Sequence, residues 1–332
     1  MRRRGEARDI LYRVLATLYR YADSIAVIEH PRSIKMRSID IAVKLRDGRR
    51  LIVKVAYDLE DIPKSEIREL LSLASLLDLS PLIIAAEKGG EPLLDGVAYE
   101  KGGVRAVTVG TLENVLSGEE LVFIRVEKSH FTVSIDGETL RKRRTELNLS
   151  LGDLAAMLGV SRRTVYEYER GGMEPTLEKA EILIKILGED IAKPIDLFSP
   201  AKRLKHKENV FDTIVEEKLA RKLREIGYKI VHVKRTTFDI AARKGEREMA
   251  IVVEHPSRSA SLLDKVYYLN KLANTVGISE RYVIVETPRV EKILEKEGYE
   301  ALKPEDFIEL VGQENESCTP DGASRKREDY PR

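Results

Sequence analysis

Two adjacent arginines, Arg162 and Arg163, have the chemistry needed to bind DNA. They lie near the start of a predicted helix that runs from Ser161 to Arg170. A guanidinium group can donate two hydrogen bonds at once to O6 and N7 of guanine in the major groove. Between Arg141 and Gly172 the sequence holds seven Arg or Lys and four Asp or Glu, so the local charge also favours a nucleic-acid partner.

The elements that must position these arginines are short helices within the segment from Leu140 to Pro175. Serines suited to capping precede two of them, and glycines suited to a left-handed conformation end them. Apolar residues at helical spacing predict one shared core. Two short helices joined by a tight turn form a helix-turn-helix, whose second helix enters the major groove. The predicted caps are Ser150 and Ser161, the ends are Gly159 and Gly171, and the core is Leu151, Leu154, Ala155, Leu158, Val160, Val165 and Tyr168.

The candidate DNA contacts are residues that point away from this core or lie at a helix start. Hydroxyl groups at helix starts can bind phosphate, and outward arginines and tyrosines can reach the bases. Glu167 points outward as well; it would repel phosphate, but it could accept a hydrogen bond from a cytosine amine. The predicted DNA-binding residues are Ser150, Leu151, Ser161, Arg162, Arg163, Thr164, Tyr166 and Glu167.

Several alternatives stay open for this segment. The paired arginines are also typical of solvated surface charges, and Arg141–Arg144 could either touch phosphate or form a solvated helix face. Tyr168 and Glu169 are expected to be structural. The whole helical domain could also be a module that contacts protein, which would make the chain an adaptor.

The segment closely resembles the Cro/C1 type of helix-turn-helix regulator over residues 139 to about 196. That resemblance implies a DNA-binding transcriptional regulator, and a homodimer would suit the reading of two half-sites. One position departs from the pattern: the family often carries Gln after the serine, where this chain has Leu151, which has no donor for a DNA contact. The matching residues are Leu140-Arg141, Ser150, Leu154-Ala155, Leu158-Gly159-Val160-Ser161, Thr164-Val165, Tyr168-Glu169-Arg170-Gly171 and Pro175.

The segments on either side repeat one order of elements: helix, strand, hairpin, helix, strand. The stretch SIDIAVKLRDGRRLIVKVA in the first half is similar to TFDIAARKGEREMAIVVEH in the second. An Asp-Gly pair between two β-rich runs is a strong hairpin signal. We interpret the two segments as diverged copies of one α/β unit; the alternative is that two unrelated units share the tripeptide DIA by chance.

Both α/β segments resemble restriction-endonuclease-like folds, with archaeal Holliday-junction resolvases as the closest comparison. Such enzymes place an Asp on one strand and an acid-x-Lys triplet on the next, and the carboxylates hold Mg²⁺. The first copy has Asp40 and Lys54, but Ile52 stands where the acid is expected. The second has Asp239 and Glu254 without a following Lys. We expect neither to cleave DNA; the alternative is a metal-dependent, structure-selective nuclease or junction-binding protein that uses Asp40 and Lys54.

Across its whole length the chain is also similar to archaeal regulators that place such a domain between two α/β segments, with IDGETLRKRR and KPIDLF flanking it. We therefore predict a multidomain protein of α/β and all-α units, in which two restriction-endonuclease-like units flank a four- to five-helix Cro/C1-type domain. The predicted domains are an N-terminal α/β domain over 1–118, a β-hairpin connector over 119–136, the helix-turn-helix domain over 137–198, a basic linker over 199–209, a C-terminal α/β domain over 210–312 and a disordered tail over 313–332.

The composition indicates the kind of organism and the cellular compartment in which the protein functions. The 332 residues carry 57 Lys or Arg and 56 Asp or Glu, which is a high charged fraction with a net charge of only +1. High charge with a single glutamine, Gln313, is typical of a hyperthermophile. The lone cysteine, Cys318, suits a reducing cytoplasm, and MRRRGEARD is too charged for a signal peptide. We expect a cytoplasmic protein whose partner is double-stranded DNA, with no membrane, catalytic residue, metal or cofactor.

Overall fold

A mixed sheet of eight strands is the largest element of the computed structural model. The structure describes residues 2–33, 36–127, 130–201, 211–255 and 261–317, and it separates into two units, Met1–Lys205 and His206–Arg332. None of the helices in these ranges has the length and apolar character that crossing a bilayer requires.

The first unit begins with the predicted helix, strand, hairpin, helix and strand. The β2–β3 hairpin turns at Asp47-Gly48, where Gly48 has a positive φ of 88°. Strand β4 runs parallel to β3, and β8 runs parallel to β4. The elements are α1 (Arg2–Leu18), β1 (Ala22–Val27), β2 (Ile41–Leu45), β3 (Arg50–Val55), α2 (Lys64–Leu77), β4 (Ser80–Ile84), β5 (Glu87–Lys88), β6 (Glu91–Pro92), β7 (Val97–Lys101), β8 (Val104–Val107) and α3 (Val109–Ser117).

The hairpin of β9 (Ile124–Glu127) and β10 (His130–Val133) extends this sheet. The strand order is β1-β2-β3-β4-β8-β7-β9-β10, and β9 runs parallel to β7 through Val97 and Ile124. The segment 119–136, which we predicted to be a connector, is therefore also the edge of the N-terminal sheet. Sequence signals find the hairpin turn, but they do not reveal a pairing with a strand that lies more than twenty residues earlier.

The helical domain follows as α4 (Gly137–Glu146), α5 (Leu151–Leu158), α6 (Arg162–Arg170) and α7 (Leu177–Leu187), with a 3-10 turn at Glu189–Ile191. Its core consists of residues from all of these elements: Leu140, Leu154, Ala155, Leu158, Val165, Tyr168, Leu183, Leu187 and Ile191. Partly buried Leu151 and Val160 pack against it. The helices and core predicted from the sequence are confirmed.

After α7 the chain returns to the N-terminal core through residues 195–198, here called the return segment. Ile195, Leu197 and Phe198 are buried among the side chains of that core. The Ile195 N–H donates to the Val122 carbonyl at 2.7 Å. The guanidinium of Arg49 lies 4.6 Å from the centre of the Phe198 ring, which is cation–π range. The predicted basic linker, 199–209, begins where this segment ends; its residues 202–209 lie outside the described residues.

The second unit repeats the early part of the first. Its strands are ordered β11-β12-β13-β14, with two antiparallel pairs and then a parallel pair, as in β1-β2-β3-β4. The elements are α8 (Ile214–Glu225), β11 (Lys229–His232), β12 (Ile240–Lys244), β13 (Arg247–Val253), α9 (Leu262–Val276), β14 (Glu280–Ile284), α10 (Pro288–Lys296) and α11 (Pro304–Ser317).

One part of the predicted tail is wrong. We expected disorder from Gln313 onward, but α11 continues to Ser317. Gln313 donates to the Glu309 carboxylate at 3.0 Å, one helical turn earlier, and this i, i+4 bond supports the last turns of a polar helix. The rest of the predicted tail, 318–332, lies outside the described residues.

The return segment should contribute to the stability of the N-terminal unit although it follows the helical domain. We expect Leu197→Ala to lower the free energy of unfolding by about 2–5 kcal/mol, because Leu197 is 1% exposed and its removal leaves a cavity. Leu177→Ala, at a 42% exposed leucine, is the matched control and should change it by less than about 0.5 kcal/mol. Urea unfolding measures both values, and amide exchange in β3 and β4 localises the loss. Equal effects of the two variants would contradict the role of the return segment.

Candidate nucleic-acid interface

Helix α5 begins with a reciprocal capping box. The Ser150 hydroxyl accepts from the Asp153 N–H at 3.1 Å, and the Asp153 carboxylate accepts from the Ser150 N–H at 2.8 Å. These hydrogen bonds to Ser150 are the main cause of the lowered pKa of Asp153, and the nearby charge of Arg162 adds to it. The predicted cap at Ser150 is confirmed, and it fixes where the helix starts.

Helix α6 also begins at a capping serine, without a reciprocal box, after the turn at Gly159, which has a φ of 64°. The Ser161 hydroxyl accepts from the Thr164 N–H at 3.1 Å and lies 2.9 Å from the Thr164 hydroxyl. Both hydroxyls predicted to face DNA are thus engaged in the helix start. Gly171, with a φ of 70°, ends the helix at Arg170, as the sequence predicted.

The two faces of α6 separate cleanly. Val165 and Tyr168 are buried in the core, and burial raises the pKa of the Tyr168 phenol. Arg162, Arg163 and Tyr166 are exposed. The helix therefore presents two guanidinium groups and a phenol ring to solvent, which is the arrangement that groove binding requires.

Two of the other residues predicted to contact DNA are less exposed to solvent. Glu167 is half-buried, with a carboxylate oxygen so close to Gly172 that a Cβ there would lie only 2.4 Å away. Its carboxylate is 3.9 Å from the guanidinium of Arg170. Leu151 is partly buried and packs on the core, and its apolar side chain has no group that could donate a hydrogen bond to DNA. The structure brings the eight predicted residues to the starts and outer face of α5 and α6, but only part of them are free to reach a ligand.

Arg144 has a structural role that the sequence left open. Its guanidinium donates to both carboxylate oxygens of Glu169, at 2.6 and 3.4 Å, and to the Leu149 carbonyl at 2.6 Å. The pair joins α4, the following loop and α6. Arg143, on the same helix, pairs at the surface with Asp190 at 2.7 Å. Glu169 is structural, as predicted, while Arg144 is too enclosed to be a phosphate contact.

Two glycines allow close approaches in this domain, and neither was predicted from the sequence. A Cβ at Gly137, in the first turn of α4, would lie 2.3 Å from the Glu169 carbonyl oxygen, so α4 and the end of α6 approach more closely than any side chain permits. A Cβ at Gly152, in α5, would lie 2.8 Å from Nε of Arg162. A glycine inside a predicted helix is itself the signal of such a close approach, because it weakens the helix.

The residues of the alternative nuclease site form a buried ionic cluster of Arg37, Asp40, Lys54 and Glu66. Lys54 Nζ lies 3.4 Å from a carboxylate oxygen of Asp40 and 3.4 Å from one of Glu66. Arg37 Nε lies 3.2 Å from the other Asp40 oxygen. The side chains are between 0 and 6% exposed. The two positive and two negative charges balance each other away from solvent.

Asp40 also has a backbone role that Asp239 repeats. Its carboxylate accepts from the Val55 N–H at 2.8 Å, as the Asp239 carboxylate accepts from the Val253 N–H at 2.8 Å. Lys265 of α9 forms the ion pair with Asp239. No group of three or more metal-binding side chains occurs in the described ranges.

Glu254, the second acid of the C-terminal candidate site, has another use. Its carboxylate accepts from the N–H groups of Glu286 and Thr287 at 2.9 and 3.0 Å, just before α10 begins. A carboxylate in this position satisfies amides that the helix leaves without intrahelical partners. Glu254 therefore stabilises the chain segment that leads into a helix start.

Two segments of the first unit match known protein families. Residues 7–122 match the PD-(D/E)XK superfamily domain, and residues 140–193 match the helix-turn-helix family. The resemblances stated for these two segments are confirmed. The fold and the site define a helix-turn-helix protein with a nuclease-like domain on the N-terminal side.

Relatives extend over almost the whole chain. A protein of Aeropyrum pernix named "Putative HTH-type transcriptional regulatory protein" is 42% identical over 300 residues, which cover 88% of this chain and 90% of the relative. A protein of the same name from Sulfolobus acidocaldarius is 31% identical over 303 residues, covering 89% and 96%. The chain belongs to this family of archaeal HTH-type transcriptional regulatory proteins.

Loss of the Arg144–Glu169 pair, which links α4 to α6, should destabilise the domain more than loss of the exposed Arg143–Asp190 pair. We expect Glu169→Ala to destabilise the helical domain by about 3–5 kcal/mol, because it leaves Arg144 charged in a site where the two side chains are 12 and 8% exposed. Asp190→Ala removes one of the two acidic partners of Arg143, in a pair that is 44 and 46% exposed, and should cost no more than about 1 kcal/mol. Thermal unfolding of both variants provides the comparison. A cost at Glu169 no larger than that at Asp190 would show that the pair does not hold the helices together.

Proposed function

We propose that this chain is a sequence-specific DNA-binding transcriptional regulator that inserts α6 into the major groove. The observation that carries this proposal is the exposed start of α6, where Arg162 and Arg163 are held on a helix fixed by the Ser161 cap and the buried Val165. Arginine in this position suits guanine or phosphate. The names of the relatives, which describe HTH-type transcriptional regulation, support the same function.

We further propose that the chain acts as a homodimer. One helix-turn-helix domain contacts few base pairs, and dimers double the contact by reading half-sites about one helical turn apart. The return segment and the β9–β10 hairpin join the helical domain to the sheet at both ends, which supports a fixed orientation of α6 in each protomer. A fixed orientation is what a defined half-site spacing needs.

The nuclease-like units are scaffolds in this proposal. In the first unit Ile52 stands at the position of the expected acid, and Lys54 is enclosed between Asp40 and Glu66. A hydrolytic Mg²⁺ site needs coordination positions open to water and substrate, whereas Asp40 and Glu66 are buried beside Lys54. The matching strand order and the matching aspartates support the second unit as a degenerate copy of the first. In this proposal the protein regulates transcription without catalysing a reaction, and it works in the cytoplasm, where archaeal DNA lies.

The outer arginines should carry DNA affinity. We expect Arg162→Ala and Arg163→Ala each to weaken binding to the specific site by about 1–3 kcal/mol, because each removes a charged donor at the groove. Lys185→Ala, which removes one exposed charge from α7, is the matched control and should change affinity little. Gel-shift titration against a genomically mapped site measures all three. Unchanged affinity in both arginine variants would remove the basis of the proposal, and no retention of any DNA at low salt would favour a protein-binding adaptor.

The alternative of a nuclease has its own test. We expect no cutting of linear or branched DNA with Mg²⁺ or Mn²⁺, because the carboxylates of Asp40 and Glu66 are buried beside Lys54, away from solvent and substrate. Gel analysis of end-labelled substrates checks this result, with Asp40→Asn as the companion variant. Metal-dependent cutting by the natural chain that disappears in Asp40→Asn would establish the nuclease instead.

A further inference from the structure

Gly152 and Arg162 are in close contact across the turn between α5 and α6. A Cβ at position 152 would lie 2.8 Å from Nε, 2.9 Å from a terminal guanidinium nitrogen and 3.1 Å from Cζ of Arg162. Real side chains do not approach this closely. The guanidinium therefore lies directly on the first turn of α5, in space that only glycine leaves open.

The angular positions of the side chains around the axis of α6 explain why Arg162 reaches α5 while Arg163 does not. Each helical residue advances about 100° around the axis. The buried face is marked by Val165 and Tyr168, which places Arg163 almost opposite the core and Arg162 on the flank. The two arginines are adjacent in sequence, but their side chains leave the helix in different directions.

Gly152 has no other evident use in the helix. Its position is the second of α5, where glycine lowers helix stability relative to alanine. Its φ is not in the left-handed region, so the backbone does not require glycine there. The three nearest atoms that a Cβ would meet all belong to the Arg162 side chain. The missing side chain thus serves the placement of that guanidinium.

We propose that Gly152 is a positioning residue that assigns Arg162 to a DNA phosphate and leaves Arg163 to read a base. This inference rests on the proposed DNA-binding function. Leu151, which precedes Gly152, has no donor, so a guanidinium held on the same turn supplies the positive group that this part of the surface otherwise lacks. A phosphate contact fixes the protein on the duplex, whereas a base contact selects the sequence.

The test is Gly152→Ala in the full chain, with Gly5→Ala as the matched control. Gly5 lies in α1, and a Cβ there would meet nothing within 4 Å. At position 152 the methyl group displaces only the flexible end of Arg162, so the fold remains and the thermal midpoint does not fall. Binding to specific and to random duplexes should weaken by the same factor, about eight-fold at 0.1 M salt, and the slope of log K against log salt should become shallower by about 0.9.

Arginine variants separate the two roles. Arg162→Ala should reproduce the Gly152→Ala result, and the double variant should lose no further affinity, since both changes remove one contact. Arg163→Ala should lower the ratio of specific to random binding and leave the salt slope less affected. Gly5→Ala should match the natural chain in every measurement.

Two outcomes would overturn the inference. If Arg162→Ala lowers the ratio of specific to random binding, Arg162 reads a base. If Gly152→Ala binds like the natural chain while Arg162→Ala is weak, the close contact does not position the guanidinium. Both outcomes leave DNA binding intact; loss of effect in all the arginine variants would instead refute the proposed function.

Discussion

The attachment of the helical domain at two points is the constraint on which the first unit depends. The chain leaves the N-terminal sheet through β9 and β10 and returns through residues 195–198, where the Ile195 amide bonds to the Val122 carbonyl. Leu197 and Phe198 then fill the same apolar core as the sheet. Because entry and exit are hydrogen-bonded to each other, the helical domain is fixed to the N-terminal sheet at both ends and is not a module on a tether.

Local signals predicted the helical domain well. The caps at Ser150 and Ser161 and the ends at Gly159 and Gly171 depend on residues within one turn, so a single sequence carries them. The core positions follow from helical periodicity in the same way. The outward placement of Arg163 follows directly from the burial of its neighbours on α6.

Contacts between residues far apart in the chain could not be predicted from the sequence in the same way. The pairing of β9 with β7, the burial of the return segment and the link from Arg144 to Glu169 join residues that lie from 25 to about 150 positions apart. Nothing in the intervening sequence specifies such partners. Glycine at 152 was visible as an anomaly in a helix, but the guanidinium that explains it belongs to the next helix.

The shared roles of Asp40 and Asp239 bear on how a related chain should be interpreted. Asp40 and Asp239 each receive an amide from the neighbouring strand, while the lysine that balances the charge comes from a strand in one unit and from a helix in the other. A carboxylate that accepts a hydrogen bond from a strand amide supports the sheet whether or not it also takes part in a reaction. Its presence in a related chain is evidence of shared architecture, and only the groups around it reveal whether chemistry survives.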